Sequence, residues 1–350
     1  MRDFDTNIVL VENFSQDDIR SYTDFLSVVD YSSVQYSLGF LKAISQGIKT
    51  ETYVITVISD GRIVGSLPFC VRRDESGIVI NSLPVSGSYG GPIVLSGLTA
   101  KEKIYEAIFS ALDSFARKKG CLSVTLVTSP FDRHKQQALD LFRPDLTWER
   151  FTQVLELKNV RYQQNVKDAL RKAAKFNFEI KEGLDAGSLQ EFYDCFRMNM
   201  DAIEVAAKPL SFYKAVNEHM VKSGNAVFLT ARTGGKLVAG IMMLAFNKKA
   251  SYFTTCLHPE YKNSQVSSLL IDYALNKFCK DGFILLDFEA SSSRESGVYK
   301  FKERWGAKEE KYHYLTKLYA EEKIKLLGMD YIKKRFEWFY VIPFSRFSEK

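Results

Sequence analysis

Gly61-Arg62-Ile63-Val64-Gly65 and Gly235-Lys236-Leu237-Val238-Ala239 repeat one another, and they decide the fold class of this chain. Each is a turn that leads into a strand, and each follows an apolar strand, at residues 53–58 and 226–231. The two stretches lie about half the chain apart, whereas solenoid units recur every ~20–50 residues. The repeat therefore predicts a duplicated domain, and a cleft between the two copies is the expected place for a ligand.

The same order of elements follows on both sides of the repeat. The first half predicts helices and strands at 15–29, 53–58, 62–72, 77–83, 101–119 and 122–127. The second half predicts them at 189–203, 211–222, 226–246, 250–255, 264–281 and 283–288. Gly120 and Gly282 each end a helix just before a strand. The separation between these two glycines differs from the separation between the two hairpin turns, which indicates that one copy has a longer loop. We expect a mixed α/β (α+β) protein with domains at 1–158 and 159–320 and a basic, aromatic helical tail at 321–350.

The composition is that of an ordinary globular protein, with 46% hydrophobic and 26% charged residues. The net charge of +6 is compatible with a phosphate-bearing substrate, RNA or an anionic membrane, and equally with a lysine-rich hydrated surface. The five cysteines and four histidines are scattered, so we expect no metal site and a reducing compartment. Without a signal peptide or an apolar run of roughly 18–20 residues, a cytoplasmic location is expected.

A basic helix is predicted at residues 161–175. Val166, Ala169, Leu170 and Ala173 form one apolar stripe, and the other face carries lysines and arginines, among them Arg171. The basic face is either simply hydrated or turned toward a phosphate-bearing ligand.

Several segments together resemble the FemABX family, the aminoacyltransferases that build peptidoglycan cross-bridges. The second half has the strand and helix order of an acetyltransferase-like (GNAT) domain, and the FemABX fold is a doubled GNAT domain. The similar segments are 34–42, the glycine-rich loop 83–92, the basic helix 170–175, 209–213, 286–290 and 297–306. The last of these is specific, because it contains the pair Phe301-Lys302. The resemblance spans nearly the whole chain and implies two tandem GNAT-like domains, each a mixed sheet flanked by helices.

Acyl transfer to an amine needs a neutral amine, a positioned acyl donor and a stabilised oxyanion. The resemblance assigns the oxyanion to Lys302, although a surface lysine beside Lys300 and Arg304 would give the same local pattern. Asp287 and Glu289 are two positions apart at a strand end and therefore share a face. Either could orient the amine or accept its proton, and either could simply be a hydrated strand-end carboxylate.

The remaining candidate residues would bind the substrate. The resemblance implies that Lys42 neutralises a diphosphate, that Tyr252 hydrogen-bonds the substrate and that Phe301 lines the site. In the loop that follows Leu83, residues Ser86, Tyr89 and Gly90 could offer backbone N–H groups to an anion. The alternatives are an exposed lysine, core aromatic residues and a loop that only turns the chain.

The acyl donor is either aminoacyl-tRNA or an acyl-CoA, with no tightly bound cofactor. GNAT enzymes hold the CoA pyrophosphate on a loop of the form Q/R-x-x-G-x-G/A, and the corresponding stretch here, 261–268, has no glycine. The helical insertion of family members that act with aminoacyl-tRNA is also not visible. The expected acceptor is a nucleotide- or lipid-linked sugar or peptide.

The tail offers a third interpretation, a binding module. Its stretch 333–340 mixes lysine, arginine and aromatic residues, which would suit peripheral contact with an anionic membrane. A helix that packs its aromatic residues on the domain would have the same composition.

Overall fold

The structure is a computed structural model and describes residues 4–85, 89–158 and 160–343. The chain divides into two compact units. Unit 1 comprises Met1–Arg150 and Lys311–Lys350, and unit 2 comprises Phe151–Glu310.

The secondary structure alternates short strands with amphipathic helices. The first elements are β1 (Asp5–Leu10), α1 (Gln16–Val28), α2 (Leu38–Gly47), β2 (Glu51–Ser59), β3 (Arg62–Asp74), β4 (Gly77–Asn81), β5 (Ile93–Val94), α3 (Lys101–Lys119), β6 (Cys121–Val127) and α4 (Lys135–Phe142). Next come β7 (Leu146–Glu156), α5 (Gln164–Ala173), β8 (Glu179–Glu182), α6 (Ala186–Asp201), α7 (Leu210–Met220), β9 (Ala226–Thr233), β10 (Lys236–Phe246), β11 (Lys249–Leu257), α8 (Val266–Lys280), β12 (Leu285–Ala290) and α9 (Gly297–Glu303). The last are β13 (Lys308–Leu318), α10 (Glu321–Leu327) and α11 (Met329–Arg335).

Local signals fix several of these boundaries. Ser15 caps α1, because its side chain accepts the Asp18 N–H while the Asp18 carboxylate accepts the Ser15 N–H. Gly120 ends α3 in the left-handed conformation, with φ of 64°, which a residue without a Cβ adopts at little cost. The boundaries of α3 are those that the sequence predicts.

The sheets of the two units have the same strand order, which confirms the duplicated fold. In unit 1 the order is β1-β2-β3-β4-β6-β13, and in unit 2 it is β8-β9-β10-β11-β12-β7. Neighbouring strands are antiparallel except β4 with β6 and β11 with β12. Each unit is therefore a mixed sheet flanked by helices.

The last strand of each sheet comes from the far side of the expected domain boundary. Strand β7 follows the elements of unit 1 in the chain, yet it pairs with β12 of unit 2. Strand β13 follows unit 2, yet it pairs with β6 of unit 1. The observed units thus differ from the expected domains 1–158 and 159–320, because local sequence patterns do not reveal which remote strand completes a sheet.

The tail belongs to unit 1 rather than standing apart at 321–350. The Tyr340 N–H donates to Asn81 Oδ1 at 2.6 Å, and Arg335 contacts the Glu75 carboxylate at 2.5 Å. The aromatic side chains of Phe336 and Phe339 are buried. Up to residue 343, the tail therefore packs its aromatic residues on unit 1, which is the second of the two interpretations of its composition.

Each unit has its own apolar core. Helix α3 packs Ile104, Ile108 and Leu112 into the core of unit 1, and helix α8 packs Leu270 and Phe278 into that of unit 2. The connection from β4 to α3 is longer than that from β11 to α8, which accounts for the loop-length change indicated by the sequence. No helix in the described part of the chain is long and apolar enough to cross a membrane.

Candidate active site

The candidate site of unit 2 lies where two parallel strands separate. Strands β11 and β12 pair over three positions, from Lys249↔Leu285 to Ser251↔Asp287, although both strands continue beyond these pairs. Close to this point Phe253 is the extra residue of a β-bulge, since Tyr252 and Thr254 pair with consecutive residues of β10. Bulges and separating strands leave backbone groups and side chains available for a ligand.

Glu289 lies at this point of separation. Its φ is 62°, which is uncommon for a residue with a side chain and is backbone strain of the kind that active sites can hold. The Ser251 hydroxyl donates a hydrogen bond to Glu289 Oε1, while the buried Oε2 has no hydrogen-bond partner among the residues that the structure describes. Burial, together with the nearby charge of Asp287, raises the pKa of Glu289 well above its ordinary value.

Lys302 reaches the same point from α9. Its Nζ donates to the backbone oxygens of Glu289 at 2.7 Å and of Ala290 at 2.8 Å. An ammonium group has three N–H donors, so one remains for a ligand. Burial lowers the pKa of Lys302 to about 8, against the opposing attraction of Asp287 and Glu289.

Asp287 has a supporting position. Its Oδ1 accepts hydrogen bonds from the Thr152 hydroxyl on β7 and from the backbone N–H of Glu289, the latter at 2.8 Å. These bonds hold the turn of chain that presents the Glu289 side chain. The structure thus brings the three predicted catalytic residues together, and Asp287 is bonded to the chain on both sides of the site rather than exposed in it.

The sequence interpretation missed Lys208, Ser251 and Thr152. Lys208 lies between α6 and α7, with its Nζ 4.9 Å from the ring centroid of Phe253. Desolvation lowers the pKa of Lys208 to about 8, while the charge of Glu289 acts in the opposite direction. One signal was available for it, a single lysine in the uncharged stretch Ala206-Ala207-Lys208-Pro209.

Two predicted substrate-binding residues face the core instead. Tyr252 packs against Phe288, with ring centroids 5.9 Å apart, and burial raises its pKa to about 12. Phe301 packs against Trp305, with ring centroids 6.5 Å apart. Neighbouring residues on a helix point about 100° apart, so Phe301 and Lys302 cannot serve the same side.

Arg171 lies on the outer face of α5. It forms an ion pair with Asp168 at 2.8 Å, and both side chains are exposed. The opposite face of the helix buries Val166, Ala169 and Ala173 as the apolar stripe predicts.

The other predicted binding residues belong to unit 1. Lys42 is half-buried on α2. Tyr89 is buried against Tyr312, with ring centroids 5.1 Å apart. Ser86 lies outside the described residues.

Gly90 packs closely in the loop that closes the end of the unit 1 sheet. Its N–H donates to the Val127 oxygen at 2.8 Å, and a Cβ at this position would lie 2.8 Å from Leu83 Cγ. The need for glycine is therefore explained by packing within unit 1.

The turn before α8 is the one that would face a CoA pyrophosphate. It contains a residue in the left-handed conformation, but that residue is not glycine. Gln265, with φ of 64°, is the N-cap of α8, and its side chain does not cap the helix. Among the residues that the structure describes, no group of three or more His, Cys, Asp or Glu side chains is arranged to hold a metal ion.

Comparison with known proteins agrees with the fold. Residues 159–303 match the model of an acetyltransferase (GNAT) domain, so unit 2 contains a domain of the acyltransferase class. No curated protein sequence matches the chain.

Solved structures resemble the whole chain at low sequence identity. The crystal structure of FemX aligns with a TM-score of 0.70 at 9% identity, covering 92% of this chain and 99% of that one. A tandem GNAT protein from the clavulanic acid biosynthesis pathway gives 0.58 at 12%, covering 90% and 98%. The C-terminal domain of a putative lysylphosphatidylglycerol synthetase from Agrobacterium fabrum gives 0.58 at 12%, covering 89% and 94%. These structures show that the chain has the tandem GNAT fold. With the match to an acetyltransferase domain, the chain is an acyltransferase.

Proposed function

We propose that unit 2 transfers an acyl or aminoacyl group to an amine of a cell-envelope or saccharide precursor. The observation that carries this proposal is the pairing of a buried carboxyl group, Glu289, with a buried ammonium group, Lys302, at the separation of β11 and β12. The acceptor amine donates an N–H to Glu289 Oε2, the carboxyl oxygen that has no hydrogen-bond partner among the described residues.

Glu289 acts as the base in this proposal. An attacking amine carries a proton that it must lose as the C–N bond forms, and the Glu289 carboxylate accepts it. A raised pKa brings the basicity of a carboxylate nearer to what proton removal at neutral pH requires. Ser251 and Asp287 hold this side chain and its backbone in place.

Lys302 stabilises the oxyanion. Two of its three N–H groups are fixed by backbone oxygens, so the direction of the third is set before the substrate binds. A donor that is already oriented needs little reorganisation when the negative charge develops.

The reaction is assigned to unit 2 because unit 1 lacks the carboxyl groups. The parallel pairing of β4 with β6 ends at Asn81↔Thr125, the counterpart of Ser251↔Asp287. Two residues beyond Thr125, Val127 stands in the place of Glu289, and its backbone is bonded to Ser82 and Gly90. We therefore propose that the chemistry takes place in unit 2 and not in unit 1.

A second candidate is acyl-CoA-dependent N-acetylation of an amino sugar or another small amine. The match of residues 159–303 to an acetyltransferase domain favours it. The glycine-free turn before α8 favours aminoacyl-tRNA instead, since a residue with a side chain keeps a pyrophosphate farther from the backbone.

A donor assay separates the two. The full-length protein is incubated with a nucleotide-linked amino sugar or peptide acceptor and either labelled aminoacyl-tRNA or labelled acetyl-CoA. Product from the tRNA alone supports aminoacyl transfer, and product from the CoA thioester alone supports N-acetylation. Absence of product from both donors would contradict the proposed function.

A further inference from the structure

In the described part of unit 2, two groups of opposite charge, Lys208 Nζ and Glu289 Oε2, attract each other while neither has a hydrogen-bond partner. Within the described chain, Lys208 Nζ makes a ring contact with Phe253 and an electrostatic contact with Glu289, but no hydrogen bond. Glu289 Oε2 is buried and also lacks a partner there. Buried polar groups are nearly always hydrogen-bonded, so the unpartnered Glu289 Oε2 indicates a ligand, and the half-buried Lys208, whose charge acts on Glu289, is open to the same ligand.

The chemistry of acyl transfer supplies such a ligand. The tetrahedral carbon formed during the reaction carries three heteroatoms: the attacking nitrogen, the oxyanion and the leaving group. Glu289 suits the nitrogen and Lys302 suits the oxyanion. The leaving group, a thiolate or an alkoxide, also needs a proton donor, and none of the predicted catalytic residues supplies one.

We propose that Lys208 is the acid that protonates the leaving group of the acyl donor, a role that rests on the proposed function. Its Nζ lies over the ring of Phe253, the bulge residue of β11, on the side where Ser251 holds Glu289. It can therefore face the same carbon as the base. Since its pKa is lowered to about 8, it holds a proton at neutral pH and releases it more readily than an ordinary lysine.

Bonds and protons balance in this acyl-transfer step. The C–N bond forms as Glu289 takes one proton from the amine, and the C–S or C–O bond breaks as Lys208 gives one proton to the leaving atom. The protein then carries a neutral Glu289 and a neutral Lys208. Transfer of the proton between these neighbours restores both charges before the next turnover.

The test compares leaving groups of different basicity. Wild type, Lys208→Met and Lys208→Arg are assayed with an alkyl and a phenyl thioester of the same acyl group, or with its ethyl and p-nitrophenyl esters if esters are the donors used. Methionine keeps the side-chain stem on Phe253, and arginine keeps the positive charge but does not release a proton. Circular dichroism and thermal unfolding check that all three proteins are folded.

With the alkyl donor we expect both variants to lose about 10²–10⁴-fold in kcat, the usual contribution of a general acid. With the phenyl or p-nitrophenyl donor the loss should nearly disappear, because that leaving group departs without a proton. Full activity of Lys208→Arg would mean that only the charge matters and would overturn the assignment. An equal loss on both donors would do the same while leaving the proposed function intact, whereas an inactive wild type would refute the two together.

Discussion

Lys302 has a double role in the proposed reaction, because it holds the end of β12 and would offer its third N–H to the oxyanion. In Lys302→Ala the oxygens of Glu289 and Ala290 lose their donor, and the oxyanion loses its stabilisation. We expect kcat to fall by about 10²–10³-fold with a smaller change in KM. Steady-state kinetics with the donor identified in the assay would measure this. Lys300→Ala, an exposed neighbour on the same helix, is the matched control, and an equally small effect of both substitutions would contradict the role.

Glu289 and Ser251 together predict a pH dependence. Glu289 accepts a proton only when ionised, so the acid limb of kcat/KM should lie well above the ordinary range of a glutamate. The hydrogen bond from Ser251 lowers the pKa of Glu289, hence its removal in Ser251→Ala should move the acid limb to higher pH. Ser251→Thr keeps the hydroxyl and should leave the limb in place. A pH–rate profile that is the same for wild type and Ser251→Ala would exclude Glu289 as the base.

Near pH 8, the alkaline limb of the pH–rate profile arises from more than one residue. Lys302 and Lys208 both have a pKa of about 8, and both must be charged in the proposed reaction. The limb therefore belongs to the group of coupled residues rather than to one of them.

At the scale of elements, the contact between α6 and β10 depends on Gly240. A Cβ there would lie 2.6 Å from Phe192 Cδ2, in a site where Phe192 is fully buried. We expect Gly240→Ala to lower the free energy of unfolding by about 1–3 kcal/mol, the usual cost of overpacking. Urea denaturation would measure it.

A matched control lies at the start of α6. Gly187 has room for a Cβ, so Gly187→Ala should be neutral or stabilise by about 0.5–1 kcal/mol. Combining Gly240→Ala with Phe192→Leu should cost less than the sum of the two, because the clash is relieved. Additive costs would show that Phe192 is not the cause.

Elements with local signals could be predicted from the sequence, and elements defined by remote partners could not. The capping box of α1, the apolar face of α3 and the turn at Gly61 are written in neighbouring residues. Strands β7 and β13 are not, since each finds its partner strand far away in the chain. The site follows the same rule: the Phe301-Lys302 motif and the Asp287/Glu289 spacing are local, whereas Lys208 reaches Glu289 only through the fold.

At the scale of the whole molecule, the strand placement predicts which fragment can fold. Residues 151–310 contain β7 from Phe151 onward and so complete the sheet of unit 2, while residues 159–320 lack it and carry the whole of β13 without its partner β6. Without β7, strand β12 keeps β11 but loses its other neighbour, and the core of unit 2 lacks Leu155.

We expect the fragment 151–310 to unfold cooperatively in urea and the fragment 159–320 to be markedly less stable or insoluble. In 151–310, Leu155→Ala should cost about 2–5 kcal/mol, which isolates the packing contribution of β7 from its hydrogen bonds. Thr152→Val should cost less, because it removes one hydrogen bond to Asp287 while keeping the strand. A fragment 159–320 as stable as 151–310 would contradict the assignment of β7 to unit 2, and with it the support that β7 gives to the chain around Glu289.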